Sequence, residues 1–201
     1  MSVDTAHLIA AGIVPAYLLG TFPSALLVAR SKGVDITAVG SGNPGASNVA
    51  RVLGTTWGVV VFVLDGLKGA IPAGVGLVAG SRGGAYALVA AAILGHMYPI
   101  TRRFRGGKGV ATLGGAMLVL HPLTSAVLLA VWYAVRRVSR TASVASLVIA
   151  VALPVGVGIE RARAWEVVAT VCLSLLVMVR HVDNIRRLLA GHELSARGSD
   201  G

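Results

Sequence analysis

The stretch WGVVVFVLDGLKGAIPAGVGLVAG, Trp57 to Gly80, decides how the rest of the chain is read. It is apolar apart from Asp65 and Lys68, and about 20 such residues are enough to carry a helix across a bilayer. The two ionisable residues lie one turn apart, where charge is costly and usually paired, so the sequence predicts an ion pair inside a membrane span. Just upstream runs Gly40-Ser-Gly-Asn-Pro-Gly-Ala-Ser-Asn-Val-Ala-Arg51, which is polar, glycine-rich and basic. It contains Gly-x-Gly-x-x-Gly after the strand-like Val34 to Val39, with Asp65 about twenty residues beyond, so a dinucleotide-binding turn has to be weighed. That turn belongs to a soluble sheet wrapped by helices. An acidic residue buried in a membrane-length apolar run does not fit it.

Composition agrees. The 201 residues are 55% hydrophobic and 13% charged, with a mean hydropathy of +0.79, too apolar for an ordinary soluble domain. The formal net charge of +10 is not read as nucleic-acid binding, because the chain has only three Phe, four Tyr and three Trp and its basic residues sit in short loops. Cys172 is alone, which excludes an intrachain disulfide and a metal-type cysteine spacing. The first seven residues lack Lys and Arg, and Leu8 to Ala29 is longer than a signal-peptide core, so it reads as a retained first span.

Further apolar segments follow at Trp57 to Gly80, Ala85 to Ile100, Val110 to Leu120, Leu123 to Val135, Ala142 to Ile159 and Ala164 to Val179. The two central ones are short and meet at His121-Pro122, and they could instead form one kinked span. Charge chooses between the counts. Seven spans with the amino terminus outside leave fourteen Lys and Arg on the cytoplasmic side and three outside; six spans leave nine and eight. The expected fold is an all-α polytopic membrane bundle of seven helices, two of them short and central, with the carboxyl terminus cytoplasmic. One domain spans residues 1–193, and 194–201 form a flexible polar tail. The polar, glycine-bearing segments then share the cytoplasmic face.

The 40–51 segment reads as a phosphate cradle. Its glycines let backbone N–H groups approach a ligand, Asn43-Pro44-Gly45 marks a turn, and a helix starting just after it would aim its N-terminus at an anion. Gly42 and Asn43 belong to that cradle, and Ser47, Asn48 and Arg51 share one helix face. A second loop, Phe104 to Thr112, is only superficially a P-loop, since Arg102 and Gly109 occupy places that a Walker sequence gives to Gly and Ser or Thr. It keeps the same physics, with Gly106, Gly107, Lys108 and a helix beginning at Val110. Arg102 and Arg103 read as topology charges and lipid anchors, and His96 as an interfacial hydrogen-bonding residue or a functional one. Ser143 and Ser146 open the sixth span, either as helix caps and packing residues or as anion ligands. Near the end, His181 and Asn184 share a face, Arg186 and Arg187 read as surface anchors, and Gly191 is a natural helix stop. No triad and no histidine spacing for zinc is present, so no metal or cofactor is expected and anion handling remains.

These segments together, in this order, resemble the PlsY-type acylphosphate:glycerol-3-phosphate acyltransferases of bacterial membranes. The match includes Leu19-Gly20-Thr21-Phe22-Pro23, the Ser41 to Arg51 loop, Leu64 to Gly69, Gly95-His96 through Thr112, the paired serines and His181 to Glu193, which is nearly the whole chain. Thr21 stands where Ser is usual and Ser47 where Thr is usual, each keeping the hydroxyl. The other glycerol-3-phosphate acyltransferases use His and Asp separated by four residues, and none of the five histidines here has that partner. The resemblance implies acyl transfer from acyl phosphate to the 1-hydroxyl of glycerol 3-phosphate, giving lysophosphatidic acid and phosphate, without direct use of acyl-CoA or acyl carrier protein. By motif position, Ser41, Arg51, Lys108, His181 and Asn184 would grip glycerol 3-phosphate. Ser47, Asn48, Gly106, Gly107, Ser143 and Ser146 would hold the donor's phosphoryl group. The expected setting is the bacterial cytoplasmic membrane, as a monomer among membrane lipids, with the site on the cytoplasmic side and a functional link to an enzyme that makes acyl phosphate. A transporter of small organic phosphates and a non-catalytic lipid-precursor binder are the rival readings. The transporter lacks the paired halves that many transporters show.

Overall fold

The computed structural model describes residues 3–195, and every regular element among them is helical. The chain divides into two compact units, Met1–Leu120 and His121–Gly201. The first holds α1 (Val3–Gly20), α2 (Ser24–Arg30), α3 (Ala46–Leu53), α4 (Thr55–Val78), α5 (Arg82–Met97), a 3-10 turn at Ile100–Arg102 and α6 (Val110–Leu120). The second holds α7 (Pro122–Ser139), α8 (Ala142–Ile159), α9 (Ala164–Val179) and α10 (Val182–Leu189). Helices α6, α8 and α9 coincide with the apolar segments read from the sequence. The expected polar tail lies, from residue 196 onward, outside the described residues.

Among the described residues, four helical stretches are long and apolar enough to cross a membrane: Val3–Arg30, Thr55–Val78, Arg82–Arg102 and Ala142–Ile159. A fifth forms if α9 and α10, bent by 57°, count as one. The first stretch is not the unbroken span its hydropathy suggests. Pro23 lacks an N–H and disfavours helix before it, so the chain leaves α1 at Gly20 and re-enters helix at Ser24.

Helix α4 is the post of the first unit, with α1, α2, α3, α5 and α6 all packed on it. It meets α6 at backbone distance: a Cβ on Gly69 would run into the Thr112 carbonyl, and one on Gly115 into that of Gly66. The two helices therefore cross near the middle of α4, about 16–21 Å along its axis from Thr55 at 1.5 Å per residue. The 98–109 loop leaves α5 and returns beside its last turn, where the Gly107 N–H donates to the His96 carbonyl at 3.1 Å, and α6 then runs for 11 residues. Its far end is tied by Arg82, whose Nη2 donates to the Leu120 carbonyl at 2.9 Å.

Val34 to Val39 forms turns rather than a strand. Ile36 is the reason, because it is buried with Ala25, Ala29, Val49 and Val61 and pins the middle of the loop against α2, α3 and α4. Without that strand the dinucleotide-binding alternative has no framework.

In the second unit α8 packs between α7 and α9. The ends of these helices are joined by a cluster the sequence did not signal. His121, buried before α7, places Nδ1 2.7 Å from Glu160 Oε2 and Nε2 3.5 Å from Glu166 Oε2. Glu160 Oε1 also accepts from the backbone N–H of Thr124 at 2.8 Å and its hydroxyl at 2.6 Å, capping the first turn of α7 with a carboxylate.

Candidate active site

The 35–51 loop is held from within by one side chain. Asn48, in the first turn of α3, is 1% exposed. Its Nδ2 donates to the carbonyls of Ile36 at 3.1 Å and Val39 at 3.0 Å. Its Oδ1 accepts from the Ser41 backbone N–H at 2.9 Å and from Arg51 Nη1 at 3.2 Å. Two donors and two acceptor positions are all an amide offers, so Asn48 is saturated by protein. It sets the place of Ser41 and the direction of Arg51, the only cation in 35–51. Gly40, with φ of 60°, leaves the space that the Asn48 side chain fills. Ser41 Oγ accepts from Asn43 N–H at 3.4 Å, and Ser47 is exposed on the first turn of α3. The loop's entrance is fixed by Asp35, whose Oδ1 accepts from the Thr37 hydroxyl at 2.7 Å and its N–H at 3.0 Å. These two bonds, the hydroxyl's first, hold the Asp35 carboxyl below its ordinary range.

The second glycine loop follows two residues in the left-handed region, Arg103 at φ 50° and Phe104 at φ 61°. Gly106, Gly107 and Gly109 are buried and Lys108 is half-buried. A Cβ on Gly106 would strike the His96 and Met97 carbonyls, and one on Gly107 the His96 ring. Arg102 is half-buried, and its Nε is enclosed without a hydrogen-bond partner. The ion pair expected inside α4 is present. Lys68 Nζ lies 2.7 Å from Asp65 Oδ1, with both side chains 4% exposed.

In the second unit His181, Asn184, Ser143 and Ser146 are all buried. His181 precedes α10, and its Nδ1 lies 2.8 Å from the Val177 carbonyl. A carbonyl only accepts, so this nitrogen carries a proton, and in the neutral tautomer Nε2 is the acceptor. Asn184 Nδ2 donates to Glu193 Oε1 at 2.5 Å, Ser143 Oγ donates to the same oxygen at 2.9 Å, and Arg187 Nε reaches Oε2 at 2.9 Å. Burial raises the affinity of Glu193 for a proton, but the bonds from Asn184, Ser143 and Arg187 outweigh it and hold the carboxyl below its ordinary range. Arg187 is thus no free surface anchor, whereas Arg186 is exposed and only 3.5 Å from an equally exposed Asp183. The paired serines do not cap α8, whose N-cap is Thr141. Ser146 Oγ donates to the Ala142 carbonyl at 2.9 Å and accepts from Trp132 Nε1 at 3.2 Å. Helix α10 ends before Gly191, with φ of 72°, and His192 N–H returns to the Arg187 carbonyl at 2.8 Å. That closure brings Glu193 back over α10.

Each unit therefore presents buried polar groups around a fixed organiser, and the first adds two glycine loops with a cation in each, an arrangement suited to anions. Comparison with known proteins points the same way. The glycerol-3-phosphate acyltransferase family model matches residues 10–191. A glycerol-3-phosphate acyltransferase of Geobacter sulfurreducens is 43% identical over 182 residues, 89% of this chain and 92% of the relative. One of Shewanella loihica is 43% identical over 188 residues, 90% of this chain and 89% of the relative. Among solved structures, the crystal structure of PlsY, an integral membrane glycerol 3-phosphate acyltransferase, in its glycerol 3-phosphate form, superposes with a TM-score of 0.87 at 36% identity, covering 93% of this chain and 94% of that one. Its lysophosphatidic acid form gives 0.85 at 35% identity. The chain is a member of the glycerol-3-phosphate acyltransferase family, of the PlsY type.

Proposed function

We propose that this protein transfers a fatty acyl group from acyl phosphate to the 1-hydroxyl of glycerol 3-phosphate, giving lysophosphatidic acid and phosphate. The observation that carries the reading is the Asn48-centred loop. A saturated buried amide fixes the Ser41 backbone and the Arg51 guanidinium side by side, which brings a hydroxyl and a guanidinium together, chemistry for a phosphate dianion. Glycerol 3-phosphate is gripped by Ser41, Arg51, Lys108, His181 and Asn184. The donor's phosphoryl group is held by Ser47, Gly106 and Gly107, Gly42 and Asn43 complete the substrate cradle, and Asn48, Ser143 and Ser146, whose donors are taken by protein acceptors, act through their neighbours.

A mixed carboxylic-phosphoric anhydride is already activated, so the protein need not create a strong nucleophile. It has to hold the hydroxyl about 3 Å from the carbonyl and neutralise two phosphates that repel one another. The hydroxyl oxygen attacks the acyl carbon, the anhydride C–O bond breaks, and the departing phosphate takes the hydroxyl proton. His181 Nε2 is the alternative acceptor, and a pH-rate profile separates the two: a His-like limb lost in His181→Gln at unchanged binding rejects the substrate-assisted route. The acyl chain enters from the bilayer, where each buried methylene is worth about 0.8 kcal/mol. Seven spans, an outside amino terminus and a cytoplasmic site complete the reading, with a single domain working as a monomer beside an enzyme that makes acyl phosphate.

The test is donor choice. Purified protein in a lipidic membrane mimic receives labelled glycerol 3-phosphate with either palmitoyl phosphate or palmitoyl-CoA. Labelled lysophosphatidic acid from palmitoyl phosphate alone is the expected result; product from palmitoyl-CoA alone, or from neither, rejects it.

A further inference from the structure

Asp65, Lys68 and His96 have no part in the roles assigned above, yet they form a polar cluster inside an apolar unit. Lys68 Nζ bridges Asp65 Oδ1 at 2.7 Å and the Phe22 carbonyl at 2.5 Å, in the break between α1 and α2. His96 Nδ1 lies 3.8 Å from the same Asp65 oxygen. All three residues are at most 6% exposed. Apolar residues would fill this space at least as well, because burying ionisable groups forfeits their hydration.

What lies on the far side of the cluster gives it a purpose. The His96 ring turns its Nε2 edge to Gly107, so closely that a Cβ there would collide with that nitrogen. The Gly107 N–H donates to the His96 carbonyl at 3.1 Å, and Gly106 rests on the His96 and Met97 carbonyls. The two residues before Lys108 therefore lean on His96 through both its backbone and its ring. Lys68 fixes the Asp65 carboxylate, the carboxylate faces one edge of the ring, and the other edge backs the loop.

We infer that Asp65, Lys68 and His96 are positioning residues for Lys108, acting through the His96 ring on Gly107. The inference rests on Lys108 being a substrate ligand, as proposed above. A ring free to turn lets the loop relax, and a misplacement of about 1 Å in such a site costs up to about a hundredfold in rate.

The experiment measures kcat and KM for glycerol 3-phosphate, with palmitoyl phosphate as donor, for His96→Asn and Asp65→Asn, each alone and combined with Lys108→Ala, with Tm recorded throughout. Each single variant is expected to lower kcat/KM by about tenfold or more. In the Lys108→Ala background the further loss should be under about twofold, because nothing remains to be placed. Equal losses in both backgrounds, or wild-type kinetics in the singles, overturn the inference. Asp65→Asn keeps the side-chain volume and carries the test if His96→Asn fails to fold. Inactive wild-type protein, or full activity in Lys108→Ala, is a failure of the proposed reaction or site and is distinct from either outcome.

Discussion

In the first unit the 35–51 loop closes around Asn48, a neutral amide with all four hydrogen-bonding positions used. In the second, α8, α10 and the chain after Gly191 close around Glu193, a carboxylate that accepts from Asn184, Ser143 and Arg187. Both organise residues that the sequence points to as ligands, one without charge and one with it. The neutral organiser is indifferent to pH and intolerant of truncation. The charged one is tied to its protonation state.

The largest expected effect is on the neutral side. Asn48→Ala strands two carbonyls and a backbone N–H, and each buried group left unpaired costs about 1–3 kcal/mol. It also frees Arg51. The expected result is a loss of kcat/KM of about a hundredfold or more, checked by steady-state acyl transfer; near-normal turnover would mean that the loop keeps its shape without its amide.

Next comes Glu193. Its carboxyl is held below the ordinary range, so the stability it contributes is present above its unfolded pKa and is lost as pH falls through the lower folded value. Tm should fall on acidification below about pH 4 more steeply in the wild type than in Glu193→Gln, which cannot titrate. Parallel curves would leave the carboxylate without a charged role, and no matching difference is expected between wild type and Asn48→Ala. The smallest effect belongs to Arg186→Ala. Its exposed pair with Asp183 is worth about 0–1 kcal/mol, so turnover should stay at the wild-type level in the same assay.

The contrast also explains what could be read in advance. Helices α6, α8 and α9 were legible because their apolar runs are bounded by Gly109 and His121-Pro122, by Arg140-Thr141 and Glu160-Arg161, and by Arg163 and Arg180. The Asp65–Lys68 pair was legible because two charges one turn apart in a span have little choice but each other. Arg51 and Asn48 were legible as neighbours by helix spacing, but the saturation of Asn48 was not, since two of its partners are carbonyls 9 and 12 residues upstream. The break at Phe22-Pro23 was hidden by hydropathy, which averages over a kink. Val34 to Val39 looked strand-like because its alternation matches a sheet, whereas the single buried Ile36 decides its course. Glu193 carried no local signal. A lone carboxylate after a helix stop acquires meaning only when the Gly191 turn brings it to Ser143, fifty residues away.

The most direct test of the account is acyl transfer from palmitoyl phosphate to glycerol 3-phosphate by Lys108→Ala, measured beside wild type at matched Tm. One charge-assisted hydrogen bond is worth about 1.5–3 kcal/mol, so kcat/KM should fall by about tenfold or more. Turnover equal to wild type would contradict it, and with it the assignment of the glycine loops to the reaction.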